Sequence, residues 1–230
     1  MLAQHESRRE QAGRAVKSFR LSKDLMPEAN VGETDWNGIV PVVCEKDWRD
    51  SLTYQALRTE VRSCWSRNFV YFAFSCRYRH LNVSDNPRVA KKTMHLWDRD
   101  VVEVYLQPPS CGSQSYYEFE ISPAGEWLDL YADVSRNIED FSWESGMKVA
   151  SKIDAPRRVW HAVCRIPKRS FGCNIKAGDI WKGNFYRIDG KDDRTFLAWS
   201  PTMTPEARFG VPERFSMIRF VGYSAAAKRT

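Results

Sequence analysis

The fold prediction depends on one segment, Leu96-Trp97-Asp98-Arg99-Asp100-Val101-Val102-Glu103-Val104-Tyr105-Leu106. From residue 102 onward, apolar residues at even positions alternate with Glu103, Tyr105 and Gln107 at odd positions. This period of two predicts a β-strand with one apolar face and one face of carboxylate, phenol and amide groups. We therefore expect a half-buried sheet that presents hydrogen-bonding groups outward, with the indole of Trp97 beside them as a flat apolar platform.

Length and composition indicate a folded globular protein. A chain of 230 residues can form one large β domain or at most two small ones. Its 43% hydrophobic and 28% charged residues are typical of a soluble protein with a packed core. Aromatic residues reach 13%, with nine tryptophans, which is more than one core usually requires. Some of this aromatic surface is therefore predicted to lie on a binding face.

The net charge of +6 raises the question of nucleic-acid binding. The excess positive charge is concentrated near the chain ends, where Arg8, Arg9 and Arg14 belong to a basic N-terminal stretch. The middle of the chain mixes both signs, and it contains no zinc-finger, RNP or helix-turn-helix pattern. No segment is long and apolar enough to span a bilayer. We therefore predict neither a nucleic-acid nor a membrane partner, and we expect a monomer.

The cysteine pattern argues against a zinc site and against a thioredoxin-like motif. The six cysteines are Cys44, Cys64, Cys76, Cys111, Cys164 and Cys173. None of them forms a C-x-x-C pair, so free and mostly buried thiols are predicted. The stretch Met1–Lys17 lacks an apolar core and does not read as a secretory signal, so the residues themselves leave the compartment undetermined.

Short alternating segments separated by turn residues predict an all-β protein. The predicted strands are Phe19–Leu21, Ile39–Cys44, Thr59–Trp65, Phe69–Arg77, Val101–Gln107, Tyr116–Ser122, Trp127–Tyr131, Met147–Ile153, Val159–Ile166, Ile180–Ile188, Phe196–Trp199 and Phe215–Val221. Tight turns are expected at Ser66–Asn68 and Pro123–Gly125, with one helical turn at Lys168–Phe171. Many short strands with short helical turns predict an antiparallel β-sandwich of two sheets, jelly-roll-like or immunoglobulin-like.

The same reading predicts a single domain over residues 16–223. Residues 1–15 are expected to form a disordered basic tail, and residues 224–230 a second tail. The connections Asn82–Asp98 and Asp133–Gly146 are long for links between neighbouring strands. Long loops on a β-sandwich are common locations for function.

A series of motifs, in this order along the chain, resembles the family 9 carbohydrate-binding modules and the wider group of family-9-like domains. The motifs are Ala29–Trp36, Asn68–Phe74, Trp97–Tyr105, Tyr116–Asp129, Ile166–Pro167, Phe171–Gly172, Asn184–Asp189, Ala198–Thr202 and Val211–Phe215. The resemblance implies a β-sandwich that binds glycans non-catalytically, at a chain end in the best-understood members. It also implies an extracellular or periplasmic setting and association with glycoside hydrolases in carbohydrate catabolism.

Three positions depart from the motifs of this family. Lys168 follows Ile-Pro where an aromatic residue is usual, and Gly210 stands where many members carry a bulkier polar residue or histidine. Ser216 replaces the glycine that usually follows the last aromatic residue. These departures bear on the shape of the binding site.

The chemistry of a sugar explains which residue types a binding site needs. A pyranose ring has an apolar face of C–H groups, which aromatic rings bind, and an equator of hydroxyls, which carboxylates, amides and guanidinium groups bind. By resemblance, Trp97 matches the clamp tryptophan of the family and Glu103 its hydroxyl-binding glutamate. Each also has a structural interpretation, Trp97 as a hydrophobic plug and Glu103 as a solvated sheet residue.

Further candidates lie on the neighbouring strands and in a later loop. Glu118 and Glu120 are expected to share one face, where they accept hydrogen bonds from hydroxyls or pair with Arg187. Trp199 and Phe209 compete for the second aromatic wall. The complete set of predicted carbohydrate-binding residues is Trp97, Glu103, Glu118, Asn184, Tyr186, Arg187, Trp199 and Phe209.

Two alternative functions belong to other classes. Met94 and His95 could serve as axial haem ligands, as in the DOMON-like electron-transfer domains that resemble this group. The domain could also have lost sugar binding and act as an interaction module. The partner predicted first remains an oligosaccharide or polysaccharide of the xylan or glucan type.

Metal and catalytic interpretations are weaker. A structural calcium is the second cofactor considered, with carboxylate ligands from Asp98, Asp100, Asp192 and Asp193. No twelve-residue calcium loop is present, so solvated acids are the default. The pair Glu103 and Glu118 could act as a glycosidase acid and base, but no spacing in the sequence indicates this. We therefore predict no cofactor and no catalytic residue.

Overall fold

The computed structural model describes residues 14–29, 36 and 38–223. The predicted tails lie outside these residues, except for Arg14 and Ala15, and so does most of the motif Ala29–Trp36. Ala15 begins the first strand, and the Arg14 backbone carbonyl accepts a hydrogen bond from the Met217 amide at 3.3 Å. Among the described residues, regular structure begins at Ala15, inside the segment predicted to be a tail.

The described part of the chain consists of strands joined by turns and short 3₁₀ helices. The strands are β1 (Ala15–Arg20), β2 (Val42–Cys44), β3 (Thr59–Trp65), β4 (Phe69–Arg77), β5 (Val101–Gln107), β6 (Ser115–Ile121), β7 (Trp127–Asp133), β8 (Ile138–Asp140), β9 (Lys148–Asp154), β10 (Val159–Pro167), β11 (Ile180–Asp189), β12 (Thr195–Ala198) and β13 (Ser216–Tyr223). The 3₁₀ helices are Gln55–Leu57, Leu96–Asp98, Val134–Arg136, Lys168–Phe171 and Pro212–Arg214. The all-β prediction with short helical turns is confirmed.

The strands follow the order β8-β7-β6-β5-β11-β13-β1-β3-β4-β10-β9, with β12 beside β11 and β2 beside β3. Most neighbours are antiparallel, as predicted, but β1 runs parallel to both β3 and β13. Because β1 and β13 come from opposite ends of the chain, no hairpin constrains their relative direction. The register places Glu103 of β5 opposite Glu120 of β6 and Tyr186 of β11.

The main core lies between two layers of this sheet. Val104 on β5 and Phe185 on β11 belong to one layer, and they share an apolar cluster with Phe72 on β4 and Trp160 on β10 from the other layer. The rings of Phe72 and Phe185 lie 5.5 Å apart across the interface. Full burial of each such side chain stabilises the fold by about 1.5–3 kcal/mol. The two-layer sandwich is thus confirmed.

The polar face of β5 is more deeply enclosed than the sequence predicted. All seven residues of β5 are buried, including Glu103 and Tyr105. The reason is a second apolar cluster on the outer face of this layer, where loop residues Leu96, Phe209 and Phe215 pack against the strands. The prediction of a half-buried, outward-facing strand is therefore wrong, because loops cover this face and leave only a recess in it.

The local predictions are largely confirmed. The turns at Ser66–Asn68 and Pro123–Gly125 and the helical turn at Lys168–Phe171 all form. One strand was missed, since β8 lies inside the connection predicted as a loop. None of the six cysteines, all of which lie in the described residues, forms a disulfide, and those at positions 44, 64, 76 and 164 are buried, as expected.

Candidate functional site

A cavity of about 390 Å³ opens on the outer face of β5, β6 and β7. Its volume falls in the range of about 300–1,000 Å³ that is usual for small-ligand sites. The side chains that form its floor and walls include Trp97, Glu103, Tyr105, Tyr116, Glu118, Glu120, Phe141, Arg194, Phe196, Arg208 and Phe209. Of the eight residues predicted for the site, Trp97, Glu103, Glu118 and Phe209 line this pocket.

Three glutamates form the floor of the pocket. Glu103 extends from β5, and Glu118 and Glu120 extend from the same face of the adjacent strand β6, as predicted. Glu120 is fully buried and Glu103 is 2% exposed. Neither oxygen of Glu120 nor Oε2 of Glu103 has a hydrogen-bond partner among the described residues, although Glu118 lies against Glu120. The floor therefore presents unused hydrogen-bonding capacity to the cavity.

Burial raises the pKa of all three carboxyl groups. Loss of hydration is the largest cause in each case, and repulsion from neighbouring carboxylates adds to the effect for Glu103 and Glu120. The pKa of Glu118 is raised to about 7, because burial outweighs the opposing influence of the neighbouring Glu120 and Tyr105 side chains. Burial therefore favours the protonated form of Glu103 and Glu120, in which a carboxyl group can both donate and accept a hydrogen bond.

Trp97 forms one wall of the pocket. The short 3₁₀ helix Leu96–Asp98 buries Leu96 and leaves the indole of Trp97 half-buried. The rings of Trp97 and Phe141 lie 6.2 Å apart with planes inclined by 35°. The guanidinium of Arg194 donates a hydrogen bond to the Trp97 carbonyl and fixes the backbone from the other side.

A buried ion pair connects the two loops that carry Trp97 and Phe141. Lys92 Nζ lies 2.7 Å from a carboxylate oxygen of Asp129 on β7, whose side chain is completely buried. The same ammonium donates to the backbone carbonyl of Phe141 at 3.0 Å. The other Asp129 oxygen accepts a hydrogen bond from the Ser145 amide at 2.8 Å. One lysine thus joins the loop before β5 to the loop after β8.

Phe209 lies on another wall and is supported from below by two predicted site residues. Its ring stacks on Tyr186 at 4.1 Å with an interplanar angle of 10°. The Tyr186 hydroxyl donates to the Phe209 carbonyl at 2.8 Å and accepts from the Asn184 amide at 2.7 Å. Asn184 also bonds to Ser200 through its amide and carbonyl. Asn184 and Tyr186 do not line the pocket; they hold Phe209 in position.

Two predicted residues lie on the opposite face of the sheet. Arg187 is completely buried, and its guanidinium donates to the Leu57 carbonyl at 3.0 Å and pairs with Asp189. Trp199 belongs to the main core, where it packs against Phe185 at 5.2 Å. Neither residue lines the pocket, so placing them in the same site as Glu118 was wrong. Alternation along β11 turns Arg187 to the face opposite Tyr186, and Trp199, which follows β12, packs into the core.

The residues of the alternative hypotheses lie elsewhere. Met94 and His95 are exposed in the turn before Trp97, and neither lines the cavity. The carboxylate of Asp100 accepts hydrogen bonds from the amides of Asn82 at 3.1 Å and Gly190 at 2.8 Å. Within residues 14–29, 36 and 38–223, no three His, Cys, Asp or Glu side chains are grouped to hold a metal ion. The same residues contain no helix with the length and apolarity needed to cross a bilayer.

Several pocket residues were missed by sequence reasoning. Tyr116 stacks on Tyr105 at 5.0 Å beside the glutamate floor. Phe141, Arg194 and Arg208 come from loops that are far apart in sequence. Tyr116 could have been found, since it precedes Glu118 by two residues and shares its face. The loop residues carry no periodic pattern that predicts their direction.

The buried glutamates predict a pH-dependent stability. Unfolded glutamates lose their proton near the ordinary value of 4.5, whereas the folded protein retains these protons to higher pH. Because the unfolded state then binds fewer protons, the free energy of unfolding falls as pH rises from about 4.5 to about 7, by about 1.4 kcal/mol per pH unit for each proton of difference. We expect Glu120→Gln to flatten this profile in urea unfolding experiments and to stabilise the protein at pH 7.

The matched control is Glu144→Gln, the same change at an exposed residue that does not line the pocket. Its unfolding profile should follow that of the unchanged protein between pH 5 and pH 8. Parallel profiles for the unchanged protein and Glu120→Gln would contradict a raised pKa of this buried carboxyl group.

Gly210 is required by the close approach of its backbone to Tyr116. A methyl group added at Gly210 would lie 2.3 Å from the Tyr116 hydroxyl oxygen. Gly210→Ala should therefore displace the pocket wall and destabilise the protein by about 1–3 kcal/mol in denaturant unfolding, as overpacking usually does. Adding Tyr116→Phe removes the clashing oxygen and should restore part of the loss. A Gly210→Ala variant that is as stable as the unchanged protein would contradict this packing.

The fold and the recess together define a class: a β-sandwich domain with an aromatic-walled, acid-floored ligand pocket. No family model matches the sequence, and no curated protein matches it significantly. A solved Bacteroides uniformis protein, described as proposed to bind carbohydrate, has a TM-score of 0.72 and 20% identity, covering 90% of this chain and 99% of its own.

Two solved structures of a family 9 carbohydrate-binding module from Caldicellulosiruptor kristjanssonii are also similar. The complex with cellotriose has a TM-score of 0.65 at 16% identity, over 93% of this chain and 97% of the module. The complex with glucose has a TM-score of 0.63 at 16% identity, over 92% of this chain and 98% of the module. These comparisons confirm the resemblance at the level of fold: the chain has the β-sandwich fold of family 9 carbohydrate-binding modules.

Proposed function

We propose that this domain binds a saccharide in the cavity between Trp97 and Phe209, without chemical conversion. The observation that carries the proposal is the combination of aromatic walls with a floor of hydrogen-bonding carboxyl groups in a single recess. Aromatic faces suit the C–H face of a pyranose, and carboxyl groups suit its hydroxyls.

The environment of the floor supports sugar hydroxyls as ligands. A hydroxyl both donates and accepts hydrogen bonds, and so does a protonated carboxyl group. The unpaired oxygens of Glu103 and Glu120 would gain partners on binding, which offsets the dehydration of the sugar. Because hydroxyls lose water as they bind, we expect modest affinity.

The ligand we favour is the end of a xylan- or glucan-type chain. Loops on several sides of the cavity contribute Trp97, Phe141 and Phe209, so the recess suits a terminal unit better than the middle of a chain. The complexes of Caldicellulosiruptor modules of this fold with cellotriose and glucose support a glucan-type ligand. With this role, the domain would act in association with a glycoside hydrolase, in an extracellular or periplasmic setting.

Glycoside hydrolysis is the competing function that clustered carboxyl groups suggest. Glycosidases place an acid and an ionised base or nucleophile on two sides of the bond to be broken. Here Glu103, Glu118 and Glu120 lie side by side on one face of two paired strands, and burial disfavours the ionised forms of Glu103 and Glu120. This arrangement supports binding over cleavage, so incubation with oligosaccharides should leave their chain lengths unchanged.

Titration calorimetry tests the proposal. The purified domain should give saturable heats with at least one member of a panel of cello-oligosaccharides, xylo-oligosaccharides and simple sugars. A monosaccharide that binds should compete with the longer chain for one site. Absence of saturable heat with every saccharide, from protein whose folding is verified by circular dichroism, would contradict the proposal.

A further inference from the structure

The floor of the pocket is acidic although the protein as a whole is basic. The chain carries a net charge of +6, yet Glu103, Glu118 and Glu120 meet at the bottom of one cavity. None of the three forms an ion pair with a described cationic side chain. Arg194 and Arg208 also line this cavity, and Arg194 favours the ionised form of Glu103, but neither arginine forms an ion pair with the three carboxyl groups. Three carboxyl groups therefore share a recess without a paired cation.

Their unpaired oxygens converge from two strands. Glu103 and Glu120 are directly opposite each other in the register of β5 and β6, where side chains on one face lie about 5 Å apart at Cβ. Oε2 of Glu103 and both oxygens of Glu120 are buried, and they lack hydrogen-bond partners among the described residues. Buried polar atoms usually have partners, so these oxygens indicate a ligand group.

A group with several donors and a positive charge fits this floor best. An ammonium group has three N–H donors and no acceptor, and can therefore bond to both glutamates at once. A metal ion fits less well, because the described side chains include no cluster of three ligands suitable for one. The aromatic walls above the floor still favour a sugar ring as the body of the ligand.

We propose that the preferred ligand is a saccharide carrying a primary ammonium group, an amino sugar whose nitrogen docks between Glu103 and Glu120. This inference rests on the proposed function and specifies the class of sugar. The ammonium forms charge-assisted hydrogen bonds with the floor, which neutral sugars cannot form. Because burial favours the protonated carboxyl groups, docking of the cation shifts them toward the ionised form: a proton passes to solvent and leaves a carboxylate to pair with the ammonium.

Three β-1,4-linked trisaccharides that differ only in the substituent at C2 test the inference. They are cellotriose with hydroxyl, the glucosamine trimer with ammonium, and the N-acetylglucosamine trimer with a neutral amide. In calorimetry at pH 6 and low salt, we expect the ammonium trimer to bind at least tenfold more tightly than cellotriose. Acetylation should abolish this advantage. Non-specific attraction of the cationic trimer is disfavoured, because the protein is itself positively charged.

Substitutions in the protein and measurements in two buffers test where the ammonium group binds. Glu120→Gln should reduce the preference for the ammonium trimer to within about threefold of cellotriose, whereas Glu144→Gln, at an exposed residue that does not line the pocket, should retain it. Binding enthalpies measured in two buffers of different ionisation enthalpy should show proton release with the ammonium trimer and none with cellotriose.

The outcomes separate this inference from the proposed function. If cellotriose binds as tightly as the ammonium trimer, the amino-sugar inference is overturned and saccharide binding stands. If the preference survives in Glu120→Gln, or if no proton is released, the docking position is wrong. If none of the three trimers and no other saccharide binds, the proposed function fails and this inference fails with it.

Discussion

Lys92→Met is expected to lower the free energy of unfolding by about 3–5 kcal/mol, the cost of leaving one partner of a buried ion pair uncompensated. Asp129 has no exposed side-chain surface, and Lys92 Nζ lies 2.7 Å from its carboxylate. Methionine retains the apolar stem of lysine but removes the charge and the donors to the carbonyls of Asp129 and Phe141. Since domains of this kind are stable by only about 5–15 kcal/mol, this loss is large. Urea unfolding at pH 7 measures it.

A double-mutant cycle separates the ion pair from loss of packing. Asp129→Asn alone should also destabilise, because it leaves the Lys92 ammonium buried without a carboxylate. The double variant Lys92→Met/Asp129→Asn should be more stable than the sum of the single losses predicts, as expected for residues in contact. Additive losses would contradict the view that one ion pair joins the two loops of the pocket.

Trp97→Ala is expected to weaken saccharide binding by about ten- to hundred-fold. The indole is the half-buried aromatic surface that Phe141 and Arg194 hold at the pocket wall. Its removal takes away the stacking contact and the apolar area that a sugar ring would cover, which lowers the binding free energy by about 1.5–3 kcal/mol. Each 1.4 kcal/mol corresponds to a tenfold change in affinity. Calorimetry with the tightest-binding saccharide of the panel measures the loss.

Trp127→Ala is the matched control for this variant. Trp127 is also a half-buried tryptophan, but it lines a separate groove beside Val89 and Ser151. Its substitution should leave saccharide affinity within about twofold. If Trp97→Ala binds every saccharide like the unchanged protein, the pocket is not the binding site, and the view that the domain is an interaction module without sugar binding gains support.

Strand periodicity predicted the part of the site that lies on regular strands. The alternation along residues 101–107 placed Val104 in the core and Glu103 on the other face, and the structure confirms both. The same reasoning placed Glu118 and Glu120 on one face of β6. These assignments succeeded because side chains of a strand alternate strictly, whichever strand is its neighbour.

Features that depend on the pairing of distant segments could not be predicted. Parity along β11 follows from its register with β5, which places Tyr186 beside Glu103 and turns Arg187 toward the core. Phe209 and Trp199 are each followed by a small residue and then, within three positions, by a proline. Only Phe209 lines the pocket, whereas Trp199 lies in the main core. Their difference arises from long-range packing, which one sequence does not specify.

The sequence likewise did not predict that loops enclose the glutamate floor. Glu103 was expected on an open sheet face, but loops bring Phe141 and Arg194 over it from later parts of the chain. The short strand β8 was missed because three residues, Ile138–Asp140, are too few to show a period. The conformation of an irregular segment depends on its tertiary contacts, which local sequence patterns do not show.

The indole N–H signal of Trp97 gives the most direct test of the central claim, that a saccharide binds in this pocket. Nine tryptophans give nine candidate indole signals in a ¹H–¹⁵N spectrum, and Trp97→Phe identifies the one that disappears. During titration with a saccharide that gives saturable heat, we expect the Trp97 signal to shift with the calorimetric affinity while the Trp127 signal stays in place. Saturable binding that leaves the Trp97 signal unchanged would contradict the claim.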